Sequence, residues 1–367
     1  MNVKFVKSSV EGDVYKFTLS NLNVSYANAI RRIILSEVPI CVIQTETEDV
    51  NQCHIEINTS RLHNEILKHR LSCIPIHITE LDLLPDKYIL ELNMTNDTDN
   101  MMYVTTENFR IRNKANGNYL KDEEVKRIFP PNQKTNYYID FMRLRPKISD
   151  TIPGEQIKLT ADFSVSNARN NSMYNVVSKC AYSNTQDDAK IVEMWGNLES
   201  KLRDENTSVE DIQYKKRDFM ILDAQRYFVE NSFDFVVQTI GIYENDEIVK
   251  NACCILQNKF VDMIQSLESD TVPINISESI MDNSYDVILE NEDYTIGKVL
   301  EYILYEKFFV SDKSLSYCGF KKYHPHDTRS TIRLAFNQKT DRNMVKQYMK
   351  TACSDAQDSL KSIFRLF

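Results

Sequence analysis

Two segments of the chain carry apolar residues spaced alternately by three and four positions, which places one narrow apolar stripe along an α-helix. The first segment ends at Leu267, and the second lies in a helix predicted to begin at Asp341. A narrow stripe needs a partner helix, so we expect these two helices to pack together. The stripe residues predicted to pair are Val249, Cys253, Leu256, Phe260, Met263, Leu267, Val345, Met349, Ala352 and Ile363.

A strand, a polar turn and an amphipathic helix occur in this order near the start of the chain. Residues 14–19 alternate roughly between apolar and polar side chains, which predicts a strand, and residues 21–25 form a polar break. A helix is predicted from Tyr26 to Glu37, and Pro39 ends it because the residue before a proline avoids helical geometry. Its apolar face includes Ile30 and Ile34.

The same order recurs late in the chain. A strand is predicted over Tyr285 to Leu289, and a helix follows, which Thr295 is expected to cap. Ile296, Leu300 and Ile303 lie on one face of that helix. The repetition predicts an α+β chain of two related modules, each a small antiparallel sheet with a first helix and a long last helix. Packed together, they form an intramolecular pseudo-dimer with one core.

Residues 81–150 differ from the flanking sequence in their pattern of polar and apolar residues. Polar clusters at 93–100 and 113–118 and a Pro130-Pro131 pair separate apolar runs, which indicates a domain inserted into the first module. The predicted organisation is a first module in two parts at 1–80 and 151–268, the insert at 81–150, a linker at 269–284 and a second module at 285–367.

Composition and charge narrow the function classes. The hydrophobic fraction of 42% and charged fraction of 26% are those of an ordinary globular protein. The net charge of -9 argues against a free-standing nucleic-acid binder, which usually carries a basic surplus. No apolar run long enough for a membrane span and no signal peptide are recognised. The eight cysteines are scattered, which is typical of a reducing compartment.

Candidate catalytic and metal chemistry is sparse. One cluster of possible metal ligands lies between residues 53 and 77. It lacks the paired short spacings of a zinc site and comprises Cys53, His54, His63, His69, Cys73 and His77. The predicted insert contains no cysteine or histidine, and no phosphate-binding glycine loop or nucleophile elbow is present. We therefore expect no catalytic residue, no bound metal and no cofactor, although an enzyme built on the 53–77 cluster is an alternative.

Particular strings resemble a known family. Residues 28–39, Asn-Ala-Ile-Arg-Arg-Ile-Ile-Leu-Ser-Glu-Val-Pro, resemble the signature helix of alpha-type subunits of multisubunit DNA-dependent RNA polymerases. Residues 58–75 resemble the next block of the third-largest eukaryotic subunit and of its archaeal counterpart, D. Residues 290–297 and 323–325 are similar to the small partner subunit, archaeal L and its eukaryotic counterpart, which is a separate chain in most relatives.

The resemblance implies a noncatalytic assembly platform. The paired modules would bind the second-largest and largest polymerase subunits, which hold the catalytic magnesium, and would meet DNA and RNA only through the complex. No membrane and no homodimer are implied, because both modules lie in one chain. The residues that the resemblance places at or near the interface with the second-largest subunit are Asn28, Arg31, Arg32, Glu37, Asn58, Thr59, Ser60, Glu65, His69 and Arg70.

The fusion of two modules, with a composition rich in Asn, Ile, Asp and Lys, resembles proteins of large nucleocytoplasmic DNA viruses. This implies an intracellular protein located in the host cytoplasm, in viral factories and virions, or in the nucleus if the source is cellular. The competing function is a stand-alone DNA-binding transcription factor. Tight, salt-sensitive DNA binding by the isolated chain would favour that alternative.

Overall fold

The computed structural model describes residues 3–149, 151 and 153–367. Within them the chain forms two compact units. The first unit comprises the residues up to Ile34 together with 179–238 and 245–367, and the second comprises Leu35–Ser178 and Thr239–Glu244.

Strands and helices alternate irregularly along the chain, as expected for an α+β protein. The strands are β1 (Lys4–Glu11), β2 (Val14–Ser20), β3 (Ile40–Val42), β4 (Cys53–Asn58), β5 (Tyr88–Thr95), β6 (Met102–Thr105), β7 (Arg110–Asn113), β8 (Asp140–Leu144), β9 (Gln156–Asp162), β10 (Ser164–Ser166), β11 (Val177–Gln186), β12 (Phe228–Thr239), β13 (Ile274–Ile276), β14 (Ser284–Glu290), β15 (Leu315–Lys321) and β16 (Arg329–Phe336). The α-helices are α1 (Val24–Ser36), α2 (Asn64–Ser72), α3 (Asp122–Ile128), α4 (Asp188–Asp204), α5 (Val209–Ile221), α6 (Asn245–Glu268), α7 (Tyr294–Leu304) and α8 (Arg342–Phe364).

The first unit contains two four-stranded sheets of similar design. One has the order β1-β2-β12-β11, and the other has the order β13-β14-β16-β15. The first sheet is held by antiparallel pairing of β2 with β12, in which Phe17 lies opposite Phe235 with their rings stacked at 4.9 Å. In the second sheet β14 pairs antiparallel with β16. The predicted linker at 269–284 contains strand β13, in which Ile274 and its neighbours pair with β14. Part of the predicted linker therefore belongs to the second sheet.

The two long helices of the first unit, α6 and α8, pack against each other. On α6 the predicted stripe residues are buried except Met263, which is half-buried. All four predicted stripe residues of α8 are buried, as are Ile30 and Ile34 of α1 and the three predicted residues of α7. Helix α7 also packs on α8. The predicted fold class is therefore confirmed: two related modules, each with a sheet, a first helix and a long last helix, share one core.

The second unit is built on a four-stranded sheet of order β4-β9-β5-β7. Strand β5 pairs with β9 from Ile89 to Thr95, and Leu90 and Leu92 there face the same core as Leu159. The predicted boundaries at residues 80 and 150 both fall inside this unit. The reason is the pairing of β5 with β9, since β5 lies in the predicted insert and β9 lies in the predicted first module.

A pair of helices, α4 and α5, interrupts the first sheet between β11 and β12. Its buried residues, among them Trp195 and Phe219, form a hydrophobic cluster of their own. The two ends of the excursion meet, because the Asp187 backbone N–H donates to the Tyr227 carbonyl at 3.1 Å. The sequence predicts only a short helix around residues 195–202, so this helical hairpin is longer than expected.

Because the hairpin packs mainly on itself, we expect it to be removable. Replacing residues 188–226 with a two-residue Asn-Gly turn would leave β11 and β12 joined by a hairpin-compatible loop. The free energy of unfolding of the rest of the first unit should change by no more than about 1 kcal/mol in this deletion variant. The reason is that a short loop between β11 and β12 closes at little entropic cost. Urea denaturation would measure it, and loss of cooperative unfolding in the deletion variant would contradict the expectation.

Candidate subunit interface

Helix α1 carries the signature string and has one buried and one open side. Tyr26, Ala29 and Ile33 are among its fully buried residues, while Asn28, Arg31 and Arg32 lie on its half-buried flank. Arg31 binds its own helix: its Nη2 and Nε donate to the Asn28 side-chain oxygen at 2.9 and 3.2 Å. This i,i+3 contact holds the guanidinium along the helix flank.

Arg32 is engaged by the second module. Its Nη2 lies 2.5 Å from a carboxylate oxygen of Asp293, and its Nε donates to the Thr295 hydroxyl at 2.8 Å. Asp293 in turn caps α7 by accepting the Thr295 backbone N–H at 2.8 Å. The cap is therefore Asp293, and the expectation that Thr295 caps the helix is wrong. Thr295 instead uses its hydroxyl to accept from Arg32.

Electrostatics favour this arrangement. Burial of the Asp293 carboxyl raises its pKa, but the hydrogen bonds from Thr295 and the charge of Arg32 outweigh burial, so the net pKa lies below its usual value. A neighbouring pair, Lys259 of α6 with Glu292, joins the same turn to the first module at 3.2 Å. The polar turn before α7 is thus held by two cations of the first module.

The Arg32 contact predicts a pH-dependent stability. Because the folded pKa of Asp293 lies below its unfolded value, the ionised carboxylate stabilises the fold above about pH 4, and this contribution is lost as the pH falls through the folded pKa. Asp293→Asn keeps a capping side chain but loses the charge, so it should cost about 2 kcal/mol at pH 7.

Urea denaturation at pH 7 and pH 3 would measure this difference. The cost of Asp293→Asn should shrink at the lower pH, because the stabilisation from the ionised carboxylate decreases as the pH falls from the unfolded pKa through the folded pKa. The matched control is Asp282→Asn at an exposed position, which should be neutral at both values. An equal cost at both pH values would show that the carboxylate charge is not what Arg32 requires.

The remaining predicted interface residues lie in the second unit. Glu37 pairs with Arg169 at 3.0 Å, and Thr59 is tied to β9, since its backbone N–H donates to the Gln156 carbonyl at 3.0 Å. Asn58 organises the turn before α2, because its side chain accepts from the Ser60 hydroxyl and donates to the Leu62 carbonyl. These contacts shape the polypeptide ahead of α2.

Helix α2 presents its charged residues outward. Glu65, His69 and Arg70 are exposed, whereas Leu67 and Leu71 on the opposite side enter the core of the second unit. Beside the helix lies a cavity of about 740 Å³. Its lining includes Glu65, Ile66 and His69 of α2 and Glu46, Glu48 and Met173 from other segments. The structure therefore brings two of the predicted residues together on one concave, acidic and partly apolar surface.

Several thiols of the chain are buried, and neither a metal-binding cluster nor a membrane-spanning helix is found among the described residues. Burial raises the pKa of the thiols of Cys53 to about 11 and of Cys41 and Cys253 to about 12. Throughout residues 3–149, 151 and 153–367, no group of three or more His, Cys, Asp or Glu residues is placed to hold a metal ion. Over those residues no helix is both long and apolar enough to cross a membrane.

A comparison with known protein families covers most of the chain before the second module. Residues 16–260 match the model of the RNA polymerase Rpb3/Rpb11 dimerisation domain. The fold and the paired helices define a two-module dimerisation protein of the alpha type. The chain belongs to the RNA polymerase Rpb3/Rpb11 dimerisation domain family.

Several of the similar proteins are polymerase subunits. The chain is 26% identical over 282 residues to DNA-directed RNA polymerase subunit Rpo3 of Pyrococcus furiosus, covering 70% of this chain and 95% of that protein. It is 25% identical over 291 residues to the Rpo3 subunit of Pyrococcus horikoshii, covering 73% and 99%. A shorter match, 40% over 67 residues, joins it to DNA-directed RNA polymerases II, IV and V subunit 3 of Arabidopsis thaliana, covering 18% of this chain and 19% of that protein.

Two contacts of the site were not predicted. Asp293 as the cap of α7 has a local sequence signal, since aspartate is a preferred N-cap residue, but the sequence does not indicate that it contacts Arg32. The Lys259–Glu292 pair has no such signal, because its residues belong to different helices and turns. The interface role of Asn28, Arg31 and the α2 residues stays a prediction.

Proposed function

We propose that this chain is the assembly platform of a DNA-directed RNA polymerase, a noncatalytic subunit that binds the second-largest and then the largest subunit. The observation that carries the proposal is the shared core of the two modules, in which α6 packs on α8 within one polypeptide. Membership of the dimerisation-domain family and similarity to Rpo3 subunits support it.

The contact surface for the second-largest subunit would be the outer side of α2 with the adjoining cavity. Glu65, Ile66 and His69 are exposed there, and Ile66 is 45% accessible although apolar. Ile66 shares the cavity lining with Met173, and an apolar patch rimmed by polar groups is typical of a protein contact. Arg32 is not part of this surface in the proposal, because Asp293 and Thr295 already occupy its guanidinium.

Co-purification tests the proposal. A tagged chain should bring down two much larger polymerase subunits, and Glu65→Arg together with His69→Glu should reduce their recovery by at least tenfold. The matched control is Glu123→Arg, an exposed charge reversal on α3 of the same unit, which should leave recovery unchanged. Arg31→Glu tests the α1 flank separately without removing the Arg32 contact.

Two outcomes would contradict the proposal. Absence of large polymerase subunits from the native chain's partners would remove the assembly role. Full recovery with the α2 double variant would leave that role in place but remove the α2 surface from it.

The source and location are proposed from the fusion and composition. We infer a large DNA virus, with the protein acting in the host cytoplasm and carried in virions; a cellular source would instead place it in the nucleus. Mass spectrometry of purified particles would detect the chain with the other polymerase subunits, and its absence there would count against packaging.

A further inference from the structure

Four arginines line one cavity of about 360 Å³ in the second unit. Arg61 comes from the turn before α2 and Arg70 from α2 itself, while Arg143 lies on β8 and Arg145 directly after it. Two carboxylates, Asp140 and Glu155, line the same cavity, so the four arginines still leave a local surplus of positive charge in a chain with a net charge of -9. We name it the arginine pocket.

One of the four guanidinium groups is neutralised inside the pocket. The Nε of Arg145 lies 2.5 Å from a carboxylate oxygen of Glu155, and the Arg145 backbone N–H donates to the other oxygen at 2.8 Å. Glu155 is 7% exposed, so this pair is part of the folded framework. Arg145 and Glu155 therefore form the fixed wall of the pocket.

The other three guanidinium groups have no carboxylate partner among the residues that the structure describes. Arg70 donates from Nη2 to the backbone carbonyl of Asp140 at 2.8 Å, a contact with a neutral acceptor. Arg143 lies over the ring of Tyr103 at 4.8 Å, which orients the guanidinium plane and leaves its edge N–H groups for other acceptors. Arg61 is exposed at the rim.

The pocket also has an apolar side. Leu62, Met101 and Met142 contribute to its lining, and Met101 is 47% exposed. An unbranched methionine adapts to different apolar groups and is common on binding surfaces. The ligand that fits both sides therefore carries anionic oxygens next to an apolar group.

We propose that the arginine pocket binds an acidic segment of another protein, in which carboxylate side chains flank an apolar side chain. Arginine pairs with carboxylates through two parallel hydrogen bonds, so three guanidinium groups without a carboxylate partner provide both charge and direction. The apolar lining distinguishes this ligand from a nucleic-acid backbone, whose repeated charges would meet the acidic surplus of the rest of the chain. The proposal does not depend on which polymerase subunits bind the chain.

Fluorescence anisotropy with the full-length chain tests this assignment. The probe is a fluorescein-labelled peptide Asp-Glu-Leu-Phe-Glu-Asp, and the matched probe is Asn-Gln-Leu-Phe-Gln-Asn, which has the same shape without the charges. The acidic peptide should bind at least tenfold more tightly than the amide peptide. The double variant Arg61→Ala with Arg143→Ala should weaken its binding at least tenfold, and Arg127→Ala, an exposed arginine on α3, should not.

The comparison of the two peptides on the unmodified chain needs no variant, so a folding defect cannot decide the result. Equal affinity of the two peptides, or no binding of the acidic peptide at millimolar concentration, would overturn the proposal. So would unchanged binding in the double variant. Tighter binding of a single-stranded DNA of equal charge, lost with the same two arginines, would assign the pocket to nucleic acid instead.

Discussion

Replacing Phe260 with alanine is expected to lower the free energy of unfolding of the first unit by about 3–5 kcal/mol. The Phe260 ring is fully buried on α6, the helix that packs along α8. The substitution removes the buried ring and leaves a cavity that the two rigid helices cannot close. Because stabilities of native domains are themselves about 5–15 kcal/mol, this one change should expose the paired helices to unfolding at moderate denaturant.

Equilibrium denaturation followed by circular dichroism would measure the loss. The control is Asp262→Ala two residues further along the same helix, where the side chain is exposed and the change should stay within about 0.5 kcal/mol. A loss below about 1 kcal/mol for Phe260→Ala would mean that the helix pair is not the main source of stability in this unit.

Gly154→Ala should destabilise the second unit strongly, by about 3 kcal/mol. A Cβ added at Gly154 would collide with the backbone carbonyl of Asn96 and would lie 3.3 Å from the Lys147 backbone nitrogen. Asn96 cannot yield easily, since it is fully buried and its side-chain amide donates to the Leu144 and Asn100 carbonyls at 2.9 Å. The backbone must therefore shift and weaken these buried hydrogen bonds.

The matched substitution, Gly196→Ala, is expected to have the opposite effect on stability. Gly196 lies within α4, and a Cβ there would meet no atom within 4 Å. Gly196→Ala should thus stabilise the helix by about 0.5–1 kcal/mol, because alanine has less backbone entropy to lose. Hydrogen exchange would assign each effect to its unit, and neutral behaviour of Gly154→Ala would show that the loop near Asn96 adapts.

Much of the first unit could be predicted from the sequence because its signals are periodic. The α6 and α8 stripes repeat over several turns, so the burial of residues such as Leu256 and Met349 follows from spacing alone. Helix α5 had no such signal: Phe219 is its one buried residue, and a helix that buries so little has no stripe to recognise.

The organisation of the second unit could not be predicted for a different reason. Its sheet depends on hydrogen bonds between β5 and β9, which are distant in sequence, and nothing in the sequence of either strand indicates its partner. Arg32 shows the same limit at the level of one side chain. A guanidinium on a helix flank suits a carboxylate of another protein or of the same chain equally well, and only the fold places Asp293 beside it.

The packing of α6 on α8 within one polypeptide has a thermodynamic consequence. In a pair of separate chains the association free energy includes a concentration term, and dilution separates the partners. Here the short segment between the end of α6 at Glu268 and the start of β13 at Ile274 makes the encounter intramolecular, so its effective concentration does not depend on the protein concentration. The thermal midpoint of the helix pair should be the same at nanomolar and micromolar protein, and the two modules are always present in equal number.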